Sequence, residues 1–533
     1  MTHAPAITAV AVVVLVTVLV AAYGTRVSRT TGDFYVASRA VRPWWNASAI
    51  GGEYLSAASF LGVAGLVLVE GADALWFPIG YTVGYLLLLA FVAAPLRRSG
   101  AYTLPDFAEL RLGSSRARTA SALVVVLVGW LYLLPQFTAA GLVWASATGL
   151  PRWIGTVVVA VVVAGAVAGG GMRSITIVQA VQYWLKLTAI AVPACVLLAL
   201  WGLQGAPPSQ APPGWAVPSS DPGDLYATYS LLLALLLGTM GLPHVLTRFY
   251  TNPDGTDARR TTRTVIGLLG LFYVWPPVYA VLAWRLAPEL AEPGRADTLV
   301  VDLPGLALPG TLGTVLGAVA LGGAFAAFLS TASGLTVAVS GVLARDLVPG
   351  AGGDARAVSR FRLATLGALV VPVGVALLGV DVPLAATVGL AFALAASTFA
   401  PLLLLGIWWD GLRAGPALLG MAVGGCGQAD AAVLTLTGVT ARAAPPLAAA
   451  LEQPAAWTVP LAVAVMVAGS LLGEARAARA PGAPRRSAPP RVDPGLLHRP
   501  EPPSGYVPPA PATAPPPGAP APTARRRSPT ARR

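Results

Sequence analysis

The chain has 533 residues, of which 56% are hydrophobic and 11% are charged, and its formal net charge is +12. This charged fraction is about half that of a soluble domain, so the composition excludes an ordinary soluble enzyme and a disordered chain. Two cysteines and three histidines exclude a disulfide framework and a metal site rich in either residue. The remaining class is a polytopic membrane protein.

Apolar runs along the chain predict thirteen membrane-spanning helices. A hydrocarbon core of about 30 Å needs about 20 apolar residues per helix. The runs cover roughly residues 6–23, 46–70, 74–95, 119–148, 152–169, 173–201, 225–247, 262–287, 310–344, 361–379, 383–408, 415–438 and 455–473. The fold class expected is therefore an all-α polytopic membrane protein.

The placement of the basic residues predicts the orientation. Of the 35 basic residues 34 are Arg, and 30 of these fall in alternate connections and in the C-terminal tail. The other side holds only Arg152, Arg285, Arg295 and Arg442. Because cytoplasmic loops carry the excess of basic residues, we expect the N-terminus outside and the C-terminus in the cytoplasm.

The tail, residues 474–533, holds 17 Pro and eleven Arg, so we expect it to be disordered. Its Arg clusters either contact anionic lipid at the inner leaflet or are solvated without a partner.

Two predicted spans contain breaks in their apolar pattern. In the second span, Gly51-Gly52 precedes the ionisable Glu53, and in the seventh, Gly238 and Gly241 precede Pro243-His244. Adjacent glycines and a proline weaken a helix, and irregular backbone survives in lipid only where protein covers it or it lines a cavity. The alternatives are a tight helix crossing with a snorkelling Glu53 and an ordinary span end at a proline turn.

The two breaks lie five spans apart, so the two segments cross the membrane in opposite directions. This is the pattern of an inverted repeat, spans 2–6 and 7–11, in which each half opens with a broken helix that binds substrate at mid-membrane. The expected substrate contacts are Gly51, Gly52, Tyr54, Ser56, Gly238 and Gly241.

A third polar segment, Ser330-Thr331, lies among small residues in the ninth span. Adjacent hydroxyls can supply oxygen ligands to a hard cation. The alternative interpretation is a small-residue contact between helices.

These segments resemble the sodium:solute symporter family, and within it most closely the cation/acetate (monocarboxylate) symporters. The resemblance covers roughly residues 30–410. The motifs that carry it are Tyr54-Leu55-Ser56-Ala57-Ala58-Ser59-Phe60-Leu61-Gly62, Gly170-Gly171-Met172-Arg173-Ser174, Gly241-Leu242-Pro243-His244 with Arg248-Phe249, Ser330-Thr331, and Ala395-Ala396-Ser397-Thr398-Phe399-Ala400-Pro401.

The resemblance implies thirteen spans, a five-plus-five inverted-repeat (LeuT-type) core and one sodium site. Carried over residue by residue, that site consists of the carbonyls of Gly52, Leu55 and Ala327 and the hydroxyls of Ser330 and Thr331. No cofactor other than Na⁺ as coupling ion and no nucleic-acid partner is expected.

This chain departs from the family pattern at two places. Several members carry Asp where this chain has Gln179, which puts a second cation role for that position in doubt. Ala57, Ala58 and residues 231–237 are small or apolar where sugar transporters carry polar side chains, so the expected cavity suits a short-chain acid better than a hexose. Glu53 is the candidate coupling residue, with Lys186 as its candidate partner, because an intramembrane ionisable group is functional by default.

The expected protein is a secondary transporter in a bacterial cell membrane, not an enzyme, that takes up acetate, propionate or pyruvate with sodium. Open alternatives are a sodium- or proton-coupled symporter of another solute such as proline, and a membrane sensor or scaffold. The expected organisation is a first helix and loop (1–45), the transport core (46–409), two accessory helices (410–473) and the tail (474–533).

Overall fold

The structure is a computed structural model that describes residues 3–28, 30–204, 208–292, 294–347, 354–379, 384–436 and 444–478. Every regular element in these ranges is helical. The α-helices are α1 His3–Val27, α2 Thr31–Val36, α3 Pro43–Tyr54, α4 Val63–Glu70, α5 Trp76–Leu87, α6 Ala93–Arg98, α7 Leu104–Leu112, α8 Ser115–Thr148, α9 Arg152–Gln204, α10 Pro222–Gly241, α11 Pro243–Phe249, α12 Gly255–Tyr273, α13 Trp275–Leu286, α14 Leu299–Ala307, α15 Thr311–Val342, α16 Asp354–Leu377, α17 Leu384–Trp408, α18 Ala414–Leu436, α19 Pro445–Glu452 and α20 Ala455–Ala478. Shorter 3₁₀ or π turns join some of them at 37–39, 58–62, 71–75, 88–92, 288–291, 296–298 and 343–347.

Eleven helical stretches of the described chain are long and apolar enough to cross a membrane. Two of them, Ala58–Arg98 with 41 residues and Arg152–Leu203 with 52 residues, are long enough for two crossings each. Both contain a glycine in the left-handed region, Gly71 at φ 69° and Gly171 at φ 55°, where the helix is interrupted. The thirteen predicted spans correspond to these eleven stretches when each of the two long ones is counted as two spans. The all-helical, multi-pass fold class is confirmed.

The arginine-rich connections meet on one face of the protein. Arg39 donates to the carbonyl of Gly100 at 2.7 Å, and Arg118 pairs with Asp346 at 2.6 Å. Arg97 donates to the carbonyl of Asn252 at 2.6 Å. The first, third, seventh and ninth connections of the predicted topology are therefore neighbours, as alternate connections must be.

The connections that are poor in arginine meet one another as well. The backbone N–H of Ala72 donates to Trp215 O, and that of Gln210 donates to Trp284 O, each at 2.9 Å. The indole N–H groups of Trp215 and Trp284 both donate to Leu68 O, at 2.9 and 3.0 Å. These connections form the opposite face.

Helix α15 forms the centre of the core and packs against α1, α3, α8, α9 and α16. From Ala320 to Val342 every residue of α15 is buried, which its small side chains permit because they allow close helix contacts. Helix α10 packs against α5 and α17 on another side.

Both predicted helix interruptions are confirmed. Helix α3 ends at Tyr54, and Leu55 leaves helical geometry at φ −72°, ψ 82°, about one turn after the two glycines. Helix α10 ends at Gly241, Leu242 is extended at φ −68°, ψ 117°, and α11 begins at Pro243. Pro243 has no backbone N–H and restricts Leu242 to extended geometry, so the helix cannot continue through this point.

Candidate cation and substrate site

The glycines predicted to contact substrate lie at tight helix contacts. A Cβ on Gly52 would lie 2.1 Å from the carbonyl oxygen of Gln179 in α9. Gly51, Gly238 and Gly241 show the same close approach, at 2.8, 2.5 and 2.6 Å from their nearest neighbours. Their missing side chains bring α3 against α9 and α10 against α17, while a role of their backbone in substrate binding stays a prediction.

Tyr54 and Ser56 lie on either side of the break in the first broken helix, and both are buried. The Tyr54 hydroxyl lies 2.8 Å from Thr239 Oγ1 and 3.3 Å from Tyr81 O, so it connects α3 to α10 and α5. The first N–H after the break, that of Ala57, donates to Gln136 Oε1 at 3.0 Å. One amide released by the break is therefore used within the protein.

The five residues that the resemblance assigns to sodium come together from α3, the break after it, and α15. Ser330 Oγ donates to Ala327 O at 3.1 Å, and Thr331 Oγ1 donates to the carbonyl of Glu53, next to Gly52, at 2.6 Å. The two hydroxyls are fully buried. Carbonyl and hydroxyl oxygens suit a hard cation, so the chemistry of this set fits sodium.

The Lys186 side chain of α9 reaches the same oxygens. Its Nζ donates to Gly52 O, to Leu55 O at 2.7 Å and to Ser330 Oγ at 2.9 Å. Sequence reasoning singled out Lys186 as a coupling residue but did not place it in the cation site.

Glu53 pairs with Arg248, which corrects the predicted partner Lys186. Arg248 Nε donates to Glu53 Oε2 at 2.5 Å, and both side chains are buried. The remaining guanidinium nitrogens donate to Thr176 Oγ1 at 2.7 Å and to Gln179 Oε1. The ion pair therefore joins the first half of one broken helix (α3) to the second half of the other (α11).

Gln179 connects this ion pair to the oxygen set. Its Nε2 donates to Ser330 O at 2.7 Å while its Oε1 accepts from Arg248. An amide can donate and accept at once, which a carboxylate at this position could not do. The departure from the family's Asp thus gives the residue a bridging role in this structure.

Aromatic rings surround the first break, and sequence reasoning missed most of them. The Tyr54 ring lies 5.0 Å from Tyr85 and 5.9 Å from Tyr81. Phe392 of α17 lies 5.0 Å from Tyr81 and 5.9 Å from Tyr132. The signal in the sequence was the pair Tyr81 and Tyr85, spaced by four residues on one face of the third predicted span.

Polar groups in this aromatic cluster lack hydrogen-bond partners within the described part of the chain. They are the hydroxyls of Tyr81 and Tyr85 and both ring nitrogens of His244, whose ring packs edge-on against Tyr132 at 5.2 Å. Because buried polar groups in proteins are almost always hydrogen-bonded, these atoms beside two broken helices are candidate contacts for a bound solute or an ordered water.

A cavity of about 680 Å³ opens at the arginine-poor face. The carboxylates that line it come from four different parts of the chain: Glu70, Asp73, Asp224, Asp297 and Glu452. Burial raises the pKa of Asp297. Although burial disfavours the charged form of Asp297, five carboxyl groups around one cavity still attract cations and repel anions.

The broken helices, the buried oxygen set and the multi-pass fold together define a secondary transporter. Residues 34–424 match the sodium:solute symporter family, and the chain belongs to this family. Its members are transporters, which confirms that the protein is not an enzyme. It is similar to the "Uncharacterized symporter YwcA" of Bacillus subtilis (strain 168), with 29% identity over 432 residues that cover 77% of this chain and 82% of the relative.

Two solved structures have a similar fold. A Na⁺-coupled sialic acid symporter in a substrate-bound outward-open state matches with a TM-score of 0.66 and 14% identity, over 88% of this chain and 97% of that one. Mhp1, a nucleobase-cation-symport-1 family transporter in a closed conformation with bromovinylhydantoin bound, matches with a TM-score of 0.51 and 11% identity, over 83% and 96%. At these identities the likeness shows the fold alone.

Proposed function

We propose that this protein couples sodium influx to the uptake of a small monocarboxylate such as acetate, propionate or pyruvate. The family supports the transport class, and the similarity to a Na⁺-coupled symporter supports sodium as the coupling ion. The observation that carries the solute is the set of unpartnered donors at Tyr81, Tyr85 and His244 beside the two breaks.

A carboxylate fits these donors because it accepts several hydrogen bonds in a small volume. The aromatic rings and the alanines at 57 and 58 are apolar and supply few further polar groups, which suits a solute with a short apolar chain. The guanidinium of Arg248 is already bound by Glu53. The carboxylate is therefore bound by hydroxyl and imidazole groups and by the backbone N–H groups at the helix starts that follow Gly51-Gly52 and Gly241. One sodium per monocarboxylate makes the cycle electroneutral.

A second candidate solute is proline or another zwitterion. The observation that favours it is the ring of carboxylates at the 680 Å³ cavity, which attracts an ammonium group and repels a simple anion. The family and the Na⁺-coupled structural neighbour support sodium-coupled transport over proton coupling and over a sensor or scaffold role.

We further propose that the acidic cavity is the entrance from outside a bacterial plasma membrane. The arginine-rich face then lies in the cytoplasm, with the N-terminus outside. The core comprises residues 46–409, followed by two accessory helices to residue 473. The tail and its proposed contact with anionic lipid lie, from residue 479 on, outside the described residues.

The test is uptake of labelled acetate by proteoliposomes with and without an inward sodium gradient. Acetate, propionate and pyruvate should compete with one another, and acetamide, the neutral analogue of acetate, should not. Labelled proline in a parallel arm decides between the two solutes. Equal competition by acetamide and acetate would refute the carboxylate, and sodium-independent uptake at fixed pH would refute sodium coupling. Deletion of residues 479–533 should leave uptake intact, whereas a scaffold would lose its function.

A further inference from the structure

Lys186 is the only lysine of the chain, and it lies in the middle of the described membrane region. Its side chain is completely buried between α9, α3 and α15. An ammonium group in such a position is costly unless its hydrogen bonds are satisfied, so its contacts indicate what the position is built to hold.

Three oxygen atoms accept hydrogen bonds from Lys186 Nζ. Two are the carbonyls of Gly52 and Leu55, which cannot donate. The third is Ser330 Oγ, whose own proton is directed to Ala327 O. These three acceptors match the three N–H groups of the ammonium form.

These three oxygens belong to the set that the family resemblance assigns to sodium. A sodium ion and the Lys186 ammonium would need the same lone pairs, and two positive charges at such short separation in a buried site repel strongly. The nearest carboxylate, that of Glu53, is paired with Arg248, so it does not neutralise a second cation here. The site therefore has oxygen ligands for one cation at a time.

We propose that the Lys186 ammonium and sodium are alternative occupants of this site, and that sodium binds only when the Lys186 side chain withdraws. In this structure the ammonium group of Lys186, a residue of α9, holds the broken end of α3 against α15. The sodium-free protein then keeps its first broken helix fixed, and binding of the free ion releases it. The proposal rests on the proposed function for the arrival of sodium, but the exclusion itself can be tested by binding alone.

The first experiment measures the chemical reactivity of Lys186, which can be followed without interference because the chain has no other lysine. The purified full-length protein in nanodiscs is treated with a small amine-acylating reagent, and acylation of residue 186 is followed by peptide mass spectrometry. The assay is run in NaCl and in choline chloride at equal ionic strength. We expect faster acylation of Lys186 in sodium because the displaced side chain becomes accessible. Lys186→Arg serves as the blank. An acylation rate that does not respond to sodium would contradict the proposal.

The second experiment measures binding of radioactive sodium to wild type and to Lys186→Met. Methionine keeps the length of the side chain but cannot donate hydrogen bonds, so the oxygens are free for the ion. If the Lys186-withdrawn form is about a tenth of the wild-type population, the substitution lowers the sodium Kd about tenfold. Gln182→Met is the matched control, since Gln182 lies about one turn earlier in α9, is buried and donates to Thr17 at 3.0 Å, away from the site. It should bind sodium like wild type.

The outcomes separate this proposal from the proposed function. Wild-type affinity in Lys186→Met would refute the exclusion and leave sodium coupling intact. Binding by Lys186→Met without binding by wild type would support the exclusion in its strongest form and refute sodium coupling. Binding by neither protein would refute both. If Lys186→Met does not fold, the acylation experiment on the wild-type protein decides alone.

Discussion

The buried ion pair between Glu53 and Arg248 gives the sharpest energetic prediction. The two atoms Arg248 Nε and Glu53 Oε2 are 2.5 Å apart, and both side chains are excluded from solvent. Removing one partner of a buried pair costs about 3–5 kcal/mol because a charge is left uncompensated. In Glu53→Gln the amide oxygen still accepts a hydrogen bond, and Thr176 and Gln179 still accept from the guanidinium.

We therefore expect Glu53→Gln to lose only the charge component, about 2 kcal/mol, or about 30-fold in the equilibrium that the pair stabilises. The protein should still be expressed. Sodium-driven uptake should weaken, because the ion pair joins α3 to α11, the two half-helices that border the site.

The assay is a double-mutant cycle. The free energy of unfolding is measured in mixed micelles for wild type, Glu53→Gln, Arg248→Gln and the double variant. The control is the pair of Arg173 and Asp33, whose atoms are also close, at 2.7 Å, but whose arginine side chain is 42% exposed. An exposed pair contributes at most about 1 kcal/mol. A coupling energy between Glu53 and Arg248 no larger than that of the control pair would refute the reasoning.

Three further predictions follow from the site and the acidic cavity. Ser330→Ala with Thr331→Val should raise the sodium concentration for half-maximal uptake about tenfold; unchanged dependence would remove these hydroxyls from the site, and Ser340→Ala in the same helix is the control. Gly52→Leu should abolish folded protein, as judged by size-exclusion chromatography, because even its Cβ would meet a carbonyl oxygen of α9 at 2.1 Å; a monodisperse variant that binds solute would contradict this packing. Asp297→Asn should lower the KM for acetate about twofold, because it weakens anion repulsion at the cavity. Burial raises the pKa of Asp297, so on acidification this residue loses its charge at a higher pH than an ordinary aspartate does, and the KM of the variant should depend less on pH than that of wild type. An unchanged KM would show that the cavity charge does not act on the solute.

The sequence by itself determined the fold class and the positions of the breaks. Apolar runs of about 20 residues can only be membrane helices in such a chain, and glycine and proline act on the backbone within a few residues of where they stand. The interruptions at Leu55 and Leu242 could therefore be predicted locally. The hydroxyls of Ser330 and Thr331 were identified in the same way, as polar groups in an apolar helix.

Only the tertiary structure decided which groups meet. Lys186 is 131 positions from Leu55 and 144 from Ser330 along the chain, and Arg248 is 195 positions from Glu53. No local pattern reveals which of the two basic residues reaches the Glu53 carboxylate, because that depends on how α9, α11 and α15 pack around α3. The same packing includes close approaches such as that of Gly52 to Gln179. It places the Lys186 ammonium at the oxygens of the cation site and not at the Glu53 carboxylate.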